Sequence, residues 1–270
     1  MPLSIGARSL CARVLVAAAA GGDAARLDPA LGRGLSGGRV ATAPVGTIFE
    51  ERAAGAGGQD GGELFRTFAA PPATARPLTA AENAAIARSR LKPRRDVHRD
   101  GDWHRCVDVW IYEGSTLLLQ RRSALKDTNP GKLDVACAGH VSGDDGARDT
   151  ALKELAEELG LLRPALDGLV HAFAGANPSS GATAAHGPYD DFEICDVFVL
   201  PWGPDAADAF GSPGAALADA VFRVGAGEVG ELVLVDADDA LARIAAGDAE
   251  FVPRAPFYVD AVRAAIGRKA

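Results

Sequence analysis

The strongest constraint on the fold is a helix bracketed by two glycines. Residues 139–161 read GHVSGDDGARDTALKELAEELGL. Ala151, Leu152, Leu155 and Leu159 recur at three- and four-residue spacing, so one side of this helix is apolar and must pack on something. Gly160 stands where a left-handed residue ends a helix. Glu154, Glu157 and Glu158 are spaced i, i+3, i+4 and share a stripe roughly opposite the leucines. Three carboxylates that close repel one another unless a cation sits among them, and magnesium or manganese prefers such oxygen ligands. Taken alone, the triplet is better read as a wetted helix face beside Lys153, because Glu/Ala/Leu mixtures are ordinary helix formers.

The segments around the helix supply its partner. CVDVWIY (106–112) and TLLLQRR (116–122) alternate like strands across a tight EGS connection and predict a hairpin. A Pro/Gly loop covers 126–134, and LDVACAG (133–139) is a short buried strand. Further strands are expected at 168–175, 192–200 and 231–236, with helices at 237–246 and 257–267. LTAAENAAIARSRL (78–91) begins a short helix, capped by Thr79 with Glu82 three residues on. The stretches 176–191 and 203–219 are long and loop-like. Mixed strands with helices on both sides predict an α/β (α+β) sandwich rather than a repeating βαβ unit.

Composition sets the limits. The first 75 residues are rich in Ala, Gly and Arg, so the chain divides into an extension at 1–75, poorly ordered or a transit segment, and a domain at 76–270. Arg8, Arg13 and the absence of acid before Asp23 make residues 1–22 compatible with a plastid or mitochondrial transit peptide; otherwise an intracellular, cytoplasmic place is expected. Net charge is −8, which argues against nucleic-acid polymers and anionic membranes as partners. Cys11, Cys106, Cys137 and Cys195 are too scattered for a disulfide framework or a zinc knuckle. Cys106 and Cys195 are expected as small core residues. Trp103 and Trp110 are expected in the core or at its rim.

Taken at its fixed distances, residues 139–161 resemble the Nudix box, G-x5-E-x7-R-E-U-x-E-E-x-G-U, where U is apolar. Gly139, Glu154, Leu155, Glu157, Glu158, Gly160 and Leu161 fit it. Asp145 stands for a glutamate and Lys153 for an arginine. The segment VHRDGDWHR (97–105) with QRRS, KDTNPG and AGHV is similar to a Nudix subgroup related to isopentenyl-diphosphate isomerase. The resemblance covers about residues 85–262. It implies the Nudix fold, with the box as loop–helix–loop in a mixed sheet between helices. It also implies a Mg²⁺ (or Mn²⁺) hydrolase acting on a small-molecule diphosphate, as monomer or homodimer.

By the same resemblance, Glu154, Glu157 and Glu158 are metal-binding and catalytic, with Asp145 and Lys153 supporting them and the Gly139 carbonyl a further ligand. Lysine keeps the arginine's charge but not its two-pronged fork, so weakened catalysis, or ligand binding without turnover, is an alternative. An acid from outside the box often completes such sites; Glu228 is the first candidate and Glu193 the second. Arg121, Arg122, Lys126, His140 and Glu193 are candidate substrate contacts. His98 and His104 resemble positions that hold a second metal in the isomerases, though hydrogen bonding within the lead segment is the favoured role. The isomerases carry a cysteine where Ala138 stands. Cys137, one residue earlier, should face the other side of its strand, which weighs against isomerisation.

Overall fold

A computed structural model describes residues 15–16, 42–50, 62–126, 128–163, 165–183, 187–225 and 229–267. In chain order the elements begin with β1 (Leu15–Val16), β2 (Ala43–Pro44), β3 (Gly46–Glu50), β4 (Leu64–Phe68), α1 (Ala80–Ala85), β5 (Arg88–Pro93) and α2 (Arg94–Asp100). The central run is β6 (His104–Glu113), β7 (Thr116–Arg122), β8 (Leu133–Asp134), β9 (Cys137–His140) and α3 (Ala147–Leu159). There follow β10 (Val170–Thr183), β11 (Gly187–Pro201), α4 (Pro204–Ala209), β12 (Val221–Gly225), β13 (Val229–Asp236), α5 (Ala237–Ala245) and α6 (Pro256–Ala265).

The main sheet is mixed. Its path runs β10-β11-β6-β7-β13-β2, with β9 joined to β6 and β8 to β7. Strand β11 lies parallel to β6, while β7 and β9 take successive parts of the other edge of β6, both antiparallel. Period-2 alternation along β6 then fills two cores. Val107, Val109 and Ile111 pack with Cys137 of β9 and with Ala151, Leu155 and Leu159 of α3. Cys106 and Trp110 pack the opposite way, with Leu241 and Ile244 of α5 and Tyr258, Val259 and Val262 of α6. This is the expected sandwich.

Three local expectations change. The 78–91 segment is helical only at 80–85, where Thr79 and Glu82 do form a reciprocal capping box; residues 88–93 extend instead and pair with β4. Residues 176–183 and 187–191 are strand rather than loop. Strands β10 and β11 run paired and antiparallel from Val170↔Val199 out to Thr183↔Gly187. Ser180 donates to Asp190 at 2.6 Å, and Tyr189 lies against Gly181 where a side chain would clash. The 203–219 stretch contains α4 and a short 3₁₀ turn at 217–219.

Part of the leading segment also joins the body. Strand β2 extends the sheet by pairing with β13, and Phe65 of β4 is fully buried. An extension ending at residue 75 therefore does not describe residues 42–50 and 62–75. The transit reading of residues 1–22 and the thiol of Cys11 lie outside the described residues. Among the described residues no helix is long and apolar enough to cross a membrane.

Candidate functional site

Strand β9 carries two neighbourhoods, one on each face. Gly139 and Cys137 face α3, because they pair with Val107 and Val109; Ala138 and His140 pair with Asp108 and Cys106 and face α6. Cys137 thus points away from the side on which Ala138 stands, as its position in the strand predicts.

On the α3 face, helix and strand are in close contact. A methyl group on Gly139 would overlap the Glu154 carboxyl, so only glycine lets the helix approach this near. Gly160 ends α3 at φ 80°, with its N–H donating to the Leu155 carbonyl. Of the three box glutamates, Glu157 is exposed, Glu154 is half-buried and Glu158 is buried. Glu158 accepts from Gln120 Nε2 at 3.2 Å and from the Ala138 N–H at 3.4 Å. Burial, and then the charges of Glu158 and Glu157, push the Glu154 carboxyl up to about 8. Burial, with Glu158 and Glu154 beside it, likewise raises the Cys137 thiol. A carboxylate held this unfavourably gains from a nearby cation.

The supporting residues of the box stand on its exposed side. Lys153 is exposed and, among the described residues, forms no ion pair; its charge acts on Glu154 only from a distance. Asp145 is exposed, and its backbone N–H donates to the Ser142 carbonyl at 3.0 Å. The neighbouring Asp144 is the anchored acid. Arg66 of β4 grips it with two hydrogen bonds, 3.0 and 2.8 Å, and Arg88 lies 3.9 Å away.

On the α6 face, His98 from α2, His104 from β6, His140 from β9 and Asp191 from β11 converge, each offering one ligand atom within 4.8 Å of the others. The Nε2 atoms of all three histidines and Asp191 Oδ1 are buried without a hydrogen-bond partner. Buried polar atoms are normally satisfied, and here Asp191 Oδ1 comes only to 3.3 Å from His104 Nε2 and 3.5 Å from His98 Nε2, so four under-satisfied atoms gathered at one point fit a metal ion. His104 Nδ1 bonds the Asp102 carbonyl at 3.0 Å, which fixes the tautomer with the Nε2 lone pair turned inward. His104 thus tethers the lead segment through Nδ1, as expected, while its Nε2 and that of His98 converge with His140 and Asp191.

Glu193 joins them, 3.4 Å from His140 Nε2 and accepting from Asn177 at 2.9 Å. Burial drives His98 down to about 4 against the pull of Asp191, and it also lowers His140. Burial opposes ionisation of His104 and of Glu193 too, yet the opposite charges around each outweigh it, raising His104 and lowering Glu193. Phe65 stacks on His104 and His140 with ring centroids 5.4 and 4.8 Å away. Two residues expected to touch substrate, His140 and Glu193, thus sit in this centre.

Arg121 and Arg122 are occupied by protein. Arg121 reaches Glu231 and the Gly131 carbonyl at 3.3 and 3.0 Å. Arg122 bonds the carbonyl and hydroxyl of Thr128 and, at 3.1 Å, Asp134. Both arginines thus hold residues 128–134, and Lys126 beside them is half-buried. Behind Asp134, buried Arg254 continues the chain to Asp108 at 3.1 Å, which in turn accepts from Tyr258 at 2.6 Å. Glu228 lies outside the described residues. Gln120, Asp191, Phe65 and Glu63 are site residues not singled out from sequence; only distant pairing brings them in.

The NUDIX domain family model matches residues 102–255. Nudix hydrolase 3 from Arabidopsis thaliana is 53% identical over 75 residues, 27% of this chain and 10% of that protein, so the chain spans about a tenth of that relative. An isopentenyl-diphosphate Delta-isomerase from Cereibacter sphaeroides is 31% identical over 134 residues, 45% of this chain and 69% of that one. Among solved structures, DR0079 from Deinococcus radiodurans matches at 22% identity and TM-score 0.38, over 58% of this chain and 80% of that chain.

Proposed function

The chain belongs to the NUDIX domain family, and from that premise we propose that it is a Mg²⁺-dependent hydrolase of a small-molecule diphosphate. One observation carries the reading. The Glu154 carboxyl is pressed onto Gly139 beside Glu157 and Glu158, and raised to about 8, an arrangement that a divalent cation relieves. Glu154, Glu157 and Glu158 are the residues that would hold it. A cation bound there neutralises diphosphate charge and acidifies water. Exposed Glu157 would orient an attacking water or take its proton. Buried Glu158, tied to Gln120 and the Ala138 N–H, holds α3 against β9. The Arg66–Asp144 fork holds the loop that enters the helix.

The histidine centre would hold a second cation, of a kind that accepts imidazole nitrogen, such as manganese or zinc. Its presence is the specific observation that favours a second reading, allylic isomerisation of isopentenyl diphosphate. Against it, Ala138 faces the histidine side where the isomerases carry a thiol, and Cys137 faces α3. The test is a panel of nucleotide sugars, dinucleotides, oxidised nucleotides and prenyl diphosphates, assayed with and without Mg²⁺, on wild type and Glu157→Gln. Hydrolysis that needs Mg²⁺ and disappears in the variant supports the proposal. Isomerised isopentenyl diphosphate with no diphosphate cleaved refutes it.

A further inference from the structure

Glu63 precedes β4 and lies well before the family match begins at residue 102. Its carboxylate is divided between two partners. One oxygen accepts from the Ser142 hydroxyl, on the loop leading from His140 into the box, and the other lies 3.3 Å from Arg94 Nη1. The backbone repeats the connection, since Gly143 N–H donates to the Leu64 carbonyl at 2.7 Å and Arg94 N–H to the Glu63 carbonyl at 2.9 Å. The next aromatic residue, Phe65, is fully buried against His104 and His140. Ser142, which Glu63 holds, is two residues past His140 and lies on the loop that leads into the box helix, and Phe65 beside it is bridged to the same Ser142. Strand β4 thus runs along the 141–144 loop, the segment that joins the histidine-bearing end of β9 to the box helix.

We propose that Glu63 is a positioning residue shared by both centres: its negative charge, fixed by Ser142, offsets the Arg94 guanidinium beside it, so that cation binding at the histidines and at the box glutamates is favoured together. This rests on reading both places as cation sites. The physical ground is Coulomb's law at short range in a partly buried setting, where one fixed charge acts on two neighbours at once. Clamping matters because a mobile glutamate would have to be ordered first.

The experiment uses the full chain and two separate readouts. Co²⁺ alone, followed by its visible absorption bands, reports nitrogen coordination at the histidine centre without turnover. The Mg²⁺ concentration for half-maximal hydrolysis reports the box. Glu63→Gln should weaken Co²⁺ binding and raise the Mg²⁺ requirement, each on the order of tenfold, while melting of the metal-free protein stays near wild type. Glu63→Asp, which keeps the charge, should recover part of both. Ser142→Ala, which leaves Glu63 intact but frees it, should move both in the same direction by less, and it serves as the test if Glu63→Gln does not fold. Unchanged affinities overturn the proposal. A shift at one centre only overturns it as well, since Glu63 would then serve that centre alone. Absence of Co²⁺ bands in wild type refutes the histidine-centre reading itself, an outcome distinct from a failure confined to the Glu63 variants.

Discussion

The two faces of β9 solve the same problem, gathering groups that bind cations, by opposite means. On the α3 face one helix supplies three carboxylates within five residues, over an apolar core of Val107, Val109, Leu155 and Leu159. On the α6 face the donors come from α2, β6, β9 and β11, and the sheet beneath carries a buried ionic chain from Arg122 through Asp134 and Arg254 to Asp108. The helix face is local and oxygen-rich; the histidine face is non-local and nitrogen-rich. If that contrast is functional, the faces should separate by metal preference, and each can be broken without the other.

The largest effect is expected from Glu157→Gln. Hydrolysis should fall to background while the Co²⁺ bands of the histidine centre persist; loss of both would erase the distinction. Next, His140→Ala should strip bound transition metal, measured by plasma emission after purification, and leave the affinity of the box for Mg²⁺ as in wild type. Gly139→Ala tests the boundary between the faces. The added methyl must displace Glu154, and turnover should drop about 100-fold, with the circular dichroism spectrum retained.

Arg254→Met probes the ionic underlay. It leaves Asp108 and Asp134 buried without their shared counter-ion, and urea unfolding should show a loss of about 3–5 kcal/mol. An apolar replacement of equal size on the α3 side should cost far less.

The smallest expected effect is a pH dependence at Glu154. In metal-free protein its folded pKa, raised to about 8, exceeds the unfolded value near 4.5, so the folded state holds its proton longer. Stability is therefore retained below about pH 4.5 and lost as pH rises toward 8. The stability difference between wild type and Glu154→Gln should swing against wild type across that window, on the order of 2–4 kcal/mol, and saturating Mg²⁺ should cancel the swing. Taking the difference removes the His98 contribution, which has the opposite sign because its folded pKa is lowered to about 4. A flat difference would mean that Glu154 is not confined as the structure shows.

Legibility from sequence follows the same division. The helix at 147–159, its Gly160 stop and the 106–122 hairpin are set by neighbours a few residues apart, and periodicity exposes them. The β10–β11 arm was hidden because Ser179, Ser180, Gly181 and Ala182 have low strand propensity. Backbone pairing with β11, started by the apolar halves of both strands, carries them outward regardless. The histidine centre depends on contacts between segments tens of residues apart. His98 and His104 could be matched to a motif, but Asp191 sits in a stretch without strand-like pattern. The loop contacts of Arg121 and Arg122 were hidden for a related reason: an arginine at a strand end has the same sequence whether it meets water or a loop carbonyl.

The position of β4 and α6 also has a practical consequence for anyone who would trim this protein. A fragment cut at the family boundaries, 102–255, would discard Glu63, Phe65 and His98 at one end and Tyr258, Val259 and Val262 at the other. It would keep every glutamate of the box and still lose a histidine ligand, the aromatic floor beneath the other two, and the helix that closes one side of the sheet. Such a minimal domain should be recovered as insoluble aggregate, and its inactivity would say nothing about the enzyme.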